Sequence, residues 1–128
     1  MNEWQTSIRC YLSPAGNNKI KDWYDDLQAL EQAYFDEFLK VMRRKRDWGS
    51  DPCYRPRLKG CGKLGELRWE VNRKQHRLLG FFADGVWYAL VGCTHKQDIY
   101  SPANALDTAK KYMGQIQRRE VSTVEYDL

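Results

Sequence analysis

Six side chains on or beside three consecutive apolar segments carry the chemistry that this sequence offers: Lys59, Arg68, Arg77, His95, Lys96 and Tyr100. Guanidinium and ammonium groups hold phosphate oxygens through charge-assisted hydrogen bonds, and they stabilise the extra negative charge of a phosphorane-like state. Histidine exchanges protons near neutrality. Tyrosine supplies either a proton or an aromatic face on which an unstacked base rests. The set therefore points to chemistry at a phosphate, with Arg68 and Arg77 as its cationic centre and His95 or Tyr100 as the proton-transfer group. The plainer alternative pairs Arg68 and Arg77 with Glu66 and Glu70 as cross-strand ion pairs, each worth a fraction of a kcal/mol.

Positioning such a set falls to the stretch from residue 64 to residue 93. In residues 64–71 the side chains of Leu67, Trp69 and Val71 alternate with Glu66, Arg68 and Glu70, the period of a half-buried strand, so a charged row is expected to face outward. A short polar turn carrying Arg73 and Lys74 follows, then residues 76–82 and 86–93, two apolar segments joined by Asp84-Gly85. An Asp-Gly pair between apolar runs is a strong hairpin signal. A three-stranded meander with arginines on one sheet face is the result. His76, beside the polar turn, reads as an ordinary polar residue.

The remaining elements frame this meander. Residues 4–12 read as a first strand, with Ile8, Cys10 and Leu12 on one side. Ser13-Pro14 to Asn18 ends it and supplies a helix cap. Ile20, Trp23, Tyr24 and Leu27 recur at helical spacing, and a second helix follows with Leu30, Tyr34, Phe38, Val41 and Met42 as its apolar stripe. Arg43, Arg44, Lys45 and Arg46 fall in its last turns, where cations suit the helix dipole, and Gly49 marks a stop. Residues 49–63 contain two prolines, three glycines and four basic residues, which makes a basic loop whose Arg57, Lys59 and Lys63 are placed to line a groove beside the sheet. Thr94 to Tyr100 reads as a polar connection. Ser101-Pro102 reads as N-cap and first position of a last helix bearing Leu106, Ala109, Met113 and Ile116. Residues 119–128 read as a tail. The order β-α-α-β-β-β-α predicts an α+β fold in which a small, curved, mainly antiparallel sheet carries its helices on one face, in a single domain over residues 1–118.

Charge is distributed unevenly along the 128 residues. Residues 40–77 hold 13 Lys/Arg against 4 Asp/Glu, an excess of nine positive charges within 38 residues, whereas the flanking segments are slightly acidic. That is the electrostatic footprint of a phosphate-backbone partner. Arg73 and Lys74 join Arg57, Lys59 and Lys63 as candidate RNA-binding residues. The apolar runs are too short to span a bilayer and none near Met1 resembles a signal peptide, so a cytoplasmic protein without membrane association is expected. The four cysteines (Cys10, Cys53, Cys61, Cys93) form no CxxC pair; reduced thiols are expected, and zinc-module spacing is absent. Walker, dinucleotide-binding and nucleophile-elbow motifs are absent too.

The segment Gly65-Glu66-Leu67-Arg68, followed by His76-Arg77-Leu78-Leu79-Gly80-Phe81-Phe82 and by Thr94-His95-Lys96-Gln97-Asp98-Ile99-Tyr100-Ser101-Pro102, resembles the HigB-like branch of the RelE/ParE toxin superfamily, including its phage-derived relatives. That branch carries an "hLyELR" strand, a "yRhhyff" strand, an apolar strand and an "F-x-K-K-T-x-K-T-P" segment in this order. The likeness covers residues 4–116 in element order and residues 59–102 in specific motifs. It implies a RelE-like fold and the toxin of a type II toxin-antitoxin pair, cutting mRNA on the ribosome and neutralised by a helix-turn-helix (HigA-like) antitoxin. The implied reaction is attack of the substrate's own 2′-hydroxyl on the adjacent phosphate, which needs neither metal nor cofactor. Arg68 and Arg77 match the family's basic strand positions, Lys96 the first lysine of its Lys-Lys pair, and Lys59 a basic residue before the first meander strand. Gln97 and Tyr100 stand where the family has its later lysines, leaving His95 and Tyr100 as proton-transfer candidates. Two other activities fit the same scaffold: a non-enzymatic gyrase inhibitor of the ParE kind, and an inactive phage or mobile-element binding protein.

Overall fold

The computed structural model describes residues 4–127; residues 1–3 and Leu128, the outermost positions of the expected domain and tail, lie outside the described residues. In chain order the elements are β1 (Ser7–Tyr11), α1 (Lys19–Asp25), α2 (Ala29–Arg43), β2 (Tyr54–Arg55), β3 (Gly65–Val71), β4 (Lys74–Ala83), β5 (Val86–Lys96), β6 (Ile99–Ser101), α3 (Ala105–Gln117) and β7 (Thr123–Glu125). The class is α+β, with three helices around one seven-stranded sheet ordered β2-β3-β4-β5-β1-β7, and β6 pairing with the far end of β5. Among the described residues only the β1–β5 pair is parallel; the others are antiparallel.

Three two-residue turns set the register of the centre. Asn72-Arg73, Asp84-Gly85 and Gln97-Asp98 all have positive φ at both residues, the requirement of the type I′ turn whose twist suits a hairpin. The third turn was not expected. It folds residues 94–101, read from the sequence as a polar connection and a helix start, into a hairpin that pairs His95 with Tyr100. Ser101 therefore ends a strand rather than capping a helix, and α3 begins at Ala105.

Helices cover both faces of the sheet, which corrects the expectation of one. Ile20, Phe35, Leu39 and Met42 of α1 and α2 pack with Ile8, Leu67, Trp69, Leu78 and Trp87 on one face. Ala105 and Ala109 of α3 pack with Tyr11, Leu79, Phe81, Leu90 and Cys93 on the other. The physical cause is that β4 and β5 are apolar on both sides, the pattern of strands that are covered twice. A bulge at Leu79/Gly80 helps, because it gives β5 an extra residue, so that Leu90 and Val91 both join the α3 side. The expected tail likewise contributes β7, whose pairing with β1 puts Arg9 against Glu125.

On α2 the buried stripe is Glu31, Phe35, Leu39 and Met42, whereas Leu30, Tyr34 and Val41 are exposed. Two adjacent stripes of this helix are apolar, and contact with the sheet selects the one holding Phe35, whose ring meets Trp23 at 5.0 Å and Trp69 at 5.1 Å. The helix ends at Arg43, before Gly49, and its basic run is put to use: Arg43 Nε donates to Thr6 O at 3.2 Å, Lys45 pairs with Asp51, and Arg46 lies 4.7 Å over the Trp4 ring. The Asn18 side chain accepts from the Ile20 and Lys21 amides, the cap expected for α1. Among the described residues no helix is long and apolar enough to cross a membrane, and all four cysteines are free thiols.

Candidate functional site

On the α3 face, beyond the apolar cluster, β3 and β4 bring Arg68 and Arg77 directly opposite one another. Between them lies Glu66, which the outward-row expectation placed in solvent and which is only 2 % exposed. Arg68 donates from Nε and Nη2 to Glu66 Oε1 at 3.2 and 3.1 Å, Arg77 Nε lies 3.7 Å from Glu66 Oε2, and the Tyr100 hydroxyl donates to Oε2 at 2.9 Å. One buried carboxylate thus gathers two guanidinium groups and a phenol. Burying a carboxylate is tolerable only with such compensation.

Two cations around one anion leave a net positive charge. Arg77 is 7 % exposed and donates through Nη1 to His76 O at 2.8 Å and to Gln75 Oε1 at 3.3 Å, while its buried Nε has no hydrogen-bond partner among the described residues. Burial lowers the pKa of Arg77, opposed by the charge of Glu66. Burial, then Glu66, pushes the Tyr100 phenol well above its ordinary range, so at neutral pH it is a proton donor held on Glu66 rather than a base. The Cys93 thiol, opposite Arg77, is pushed up to about 12 by burial, then by Glu66, and is no nucleophile at neutral pH. His95 meets the Tyr100 ring edge-on at 4.8 Å and shares the Arg77 face, beside the Glu66 cluster.

A groove of about 450 Å³ between the β3–β4 and β5–β6 turns adjoins this cluster, lined among others by Arg73, Lys74, Gln75, His95 and Lys96. The sequence-predicted residues therefore divide. Arg68, Arg77, His95 and Tyr100 share one sheet face, and Arg73, Lys74 and Lys96 line the adjoining groove. Lys74 also lies 3.4 Å from Glu31 on the α2 side. Arg57 and Lys63 are elsewhere: they line a separate cavity with Trp48, Tyr54 and Phe82. Lys59 is an exposed loop residue that lines neither groove. Glu66 is the residue that sequence reading undervalued; its signal was its position two residues before Arg68, on the same side of a strand.

His76, read as an ordinary turn residue, is 1 % exposed on the opposite face, stacked on Trp69 at 5.6 Å and with Nε2 3.0 Å from Glu31 Oε2. Burial lowers its pKa below the ordinary histidine value, with the pull of Glu31 acting the other way. A depressed histidine contributes stability above its unfolded pKa that is lost as the pH falls through it. Thermal stability is therefore expected to decline below about pH 6.5, and His76→Phe, which keeps the stack on Trp69, to flatten that limb. An unchanged limb in the variant would remove His76 as its cause.

Comparison of the chain with protein-family models, with curated proteins and with solved structures finds no match.

Proposed function

We propose that this chain is a metal-independent endoribonuclease of RelE-like fold, the toxin of a type II toxin-antitoxin pair acting on mRNA in the cytoplasm. The observation that carries this reading is the convergence of Arg68, Arg77 and Tyr100 on the buried Glu66, beside His95 and a groove lined by Arg73, Lys74 and Lys96. In this reading the RNA backbone lies along the groove, held by Arg73 and Lys96. The substrate's 2′-hydroxyl attacks the phosphorus, the bond to the 5′-oxygen breaks, and the products are a 2′,3′-cyclic phosphate and a 5′-hydroxyl.

Each protein group has a task in that step. Arg77, whose Nε is ion-paired with Glu66, and Arg68, partly exposed beside it, neutralise the charge that grows on the phosphoryl oxygens. Glu66 fixes the planes of both guanidinium groups and orients Tyr100, so the cationic site needs little reorganisation as the reaction proceeds. His95 accepts the proton of the attacking 2′-hydroxyl, and the departing 5′-oxygen is protonated from water. A helix-turn-helix antitoxin and the ribosome are the partners of the same proposal.

The test uses short RNA, with and without ribosomes, and maps the new ends. Cleavage leaving a cyclic phosphate, abolished when the nucleotide on the 5′ side of the cut carries 2′-deoxyribose, is the expected result. RNA that stays intact in both settings, or cleavage that persists on the deoxy substrate, would defeat this mechanism. Growth arrest with intact mRNA and a DNA-damage response would instead favour gyrase inhibition on this scaffold.

A further inference from the structure

The cavity that holds Arg57 and Lys63 has a composition of its own. It is an open pocket of about 460 Å³, within the size of small-ligand sites, and combines Arg46, Arg57 and Lys63 with Trp48, Tyr54 and Phe82. It lies on the α1/α2 side of the sheet, since Tyr54 and Phe82 pack with Trp48, Leu67 and Trp87, whereas Arg77 lies on the α3 side. We infer that this cavity binds one nucleotide unit, its phosphate taken by Arg57 and Lys63 and its base packed against the Trp48–Phe82 wall. The site is separate from the Arg77 cluster and stands without the cleavage reading.

Three features support a ligand of this chemistry. The aromatic wall is rigid: Trp48 Nε1 donates to Met42 O at 2.9 Å, and its ring meets Phe82 at 5.1 Å and Tyr54 at 5.5 Å, both edge-on. A preformed wall binds an aromatic ring with little ordering cost. The loop that carries the cations is braced as well, with Leu58 N bonded to Leu64 O at 2.7 Å and Cys61 N to Leu58 O at 2.9 Å, so Arg57 and Lys63 are held at the cavity by the two ends of one closed loop. Neither of these two side chains has an ion-pair partner among the described residues. Arg57 also sits at φ 55°, a conformation that suits glycine, so an arginine is kept there at a conformational cost. Three cations against the single carboxylate of Asp47 leave the cavity positive, which favours an anionic ligand over a cationic one.

The nucleotide can be free or part of a strand, and a binding experiment separates the two. The probe is a fluorescent, uncleavable 2′-O-methyl RNA of about six nucleotides, within the site sizes of single-strand binders, with AMP and inorganic phosphate as competitors. Arg57→Ala with Lys63→Ala is expected to weaken strand binding tenfold or more and to reduce the salt slope by about 0.7, the contribution of one neutralised phosphate on a single strand. Photo-cross-links are expected within residues 46–63. Competition by AMP assigns the cavity to a free nucleotide; competition only by unlabelled strand assigns it to a strand. Arg57→Gly separates binding from folding, because it is expected to weaken binding while leaving Tm unchanged or raised. Unchanged affinity in the double variant, cross-links only elsewhere, or full competition by inorganic phosphate alone would overturn the proposal. RNA cleavage lost with strand binding intact would overturn the function proposed above and leave this site standing.

Discussion

Under the proposed function, replacing Arg77 with alanine is expected to slow RNA cleavage by about 10²–10³-fold, the usual effect of removing one charge-stabilising donor from a preorganised site. The measurement is the single-turnover rate on a short RNA. The size of the effect follows from geometry: Arg77 is 7 % exposed, so water does not take its place, and Arg68 is already engaged at both Nε and Nη2 by Glu66. Truncation also leaves Glu66 with one cation fewer in a buried setting, at a stability cost of about 1–3 kcal/mol. Arg77→Lys separates the two contributions. A lysine keeps the charge near Glu66 but lacks the planar fork, so stability is expected to recover more fully than rate. A lysine variant with full activity would mean that net charge alone serves at this position; an alanine variant with full activity and a native melting curve would eliminate Arg77 from the reaction.

Gly92→Ala is expected to be strongly destabilising. Gly92 lies opposite Leu78 on the face covered by α1, and a Cβ there would fall inside the indole of Trp23. Trp23 in turn is fixed by edge contacts to Phe35 and Trp69, so it cannot move without disturbing α2 and β3. Overpacking of this kind costs roughly 1–3 kcal/mol and occasionally more, or roughly 3–4 °C in Tm per kcal/mol for a domain of this size. The diagnostic variant is the double one. Trp23→Leu on its own opens a void, yet combined with Gly92→Ala it is expected to lose less stability than the two single losses added together. Strict additivity would show that the collision is relieved elsewhere.

These two positions differ in how far the sequence reveals them. Arg68 and Arg77 were legible because strand alternation assigns each side chain to a face, and turn chemistry fixes which residues stand opposite. The Asp84-Gly85 turn and the Asn18 cap follow from side-chain chemistry acting over a few residues, and the same holds for the α3 stripe. Gly92 was not legible. Nothing local says that an indole from α1 will occupy the space a Cβ would need.

The sequence by itself determined the central meander, its arginine-bearing face, the basic segment over residues 40–77 and the α+β class, because period, turn residues and charge are properties of neighbouring positions. Tertiary structure alone decided the rest. It put α3 on the second face, because β4 and β5 are apolar on both sides and a tail strand at β7 widens the sheet. It buried the Phe35 stripe of α2 against Trp23 and the sheet and left Tyr34 and Val41 exposed, with Phe38 stacked on Trp69 at the border between the two stripes. It folded residues 94–101 into a hairpin that carries Tyr100 onto Glu66, turning a row of surface charges into a buried cluster. And it split the basic residues between two faces, sending Arg57 and Lys63 to Trp48 rather than to Arg77. Charge along a chain is additive and visible; which charges meet depends on the path of the backbone through space, and that path is set by packing over long separations in sequence.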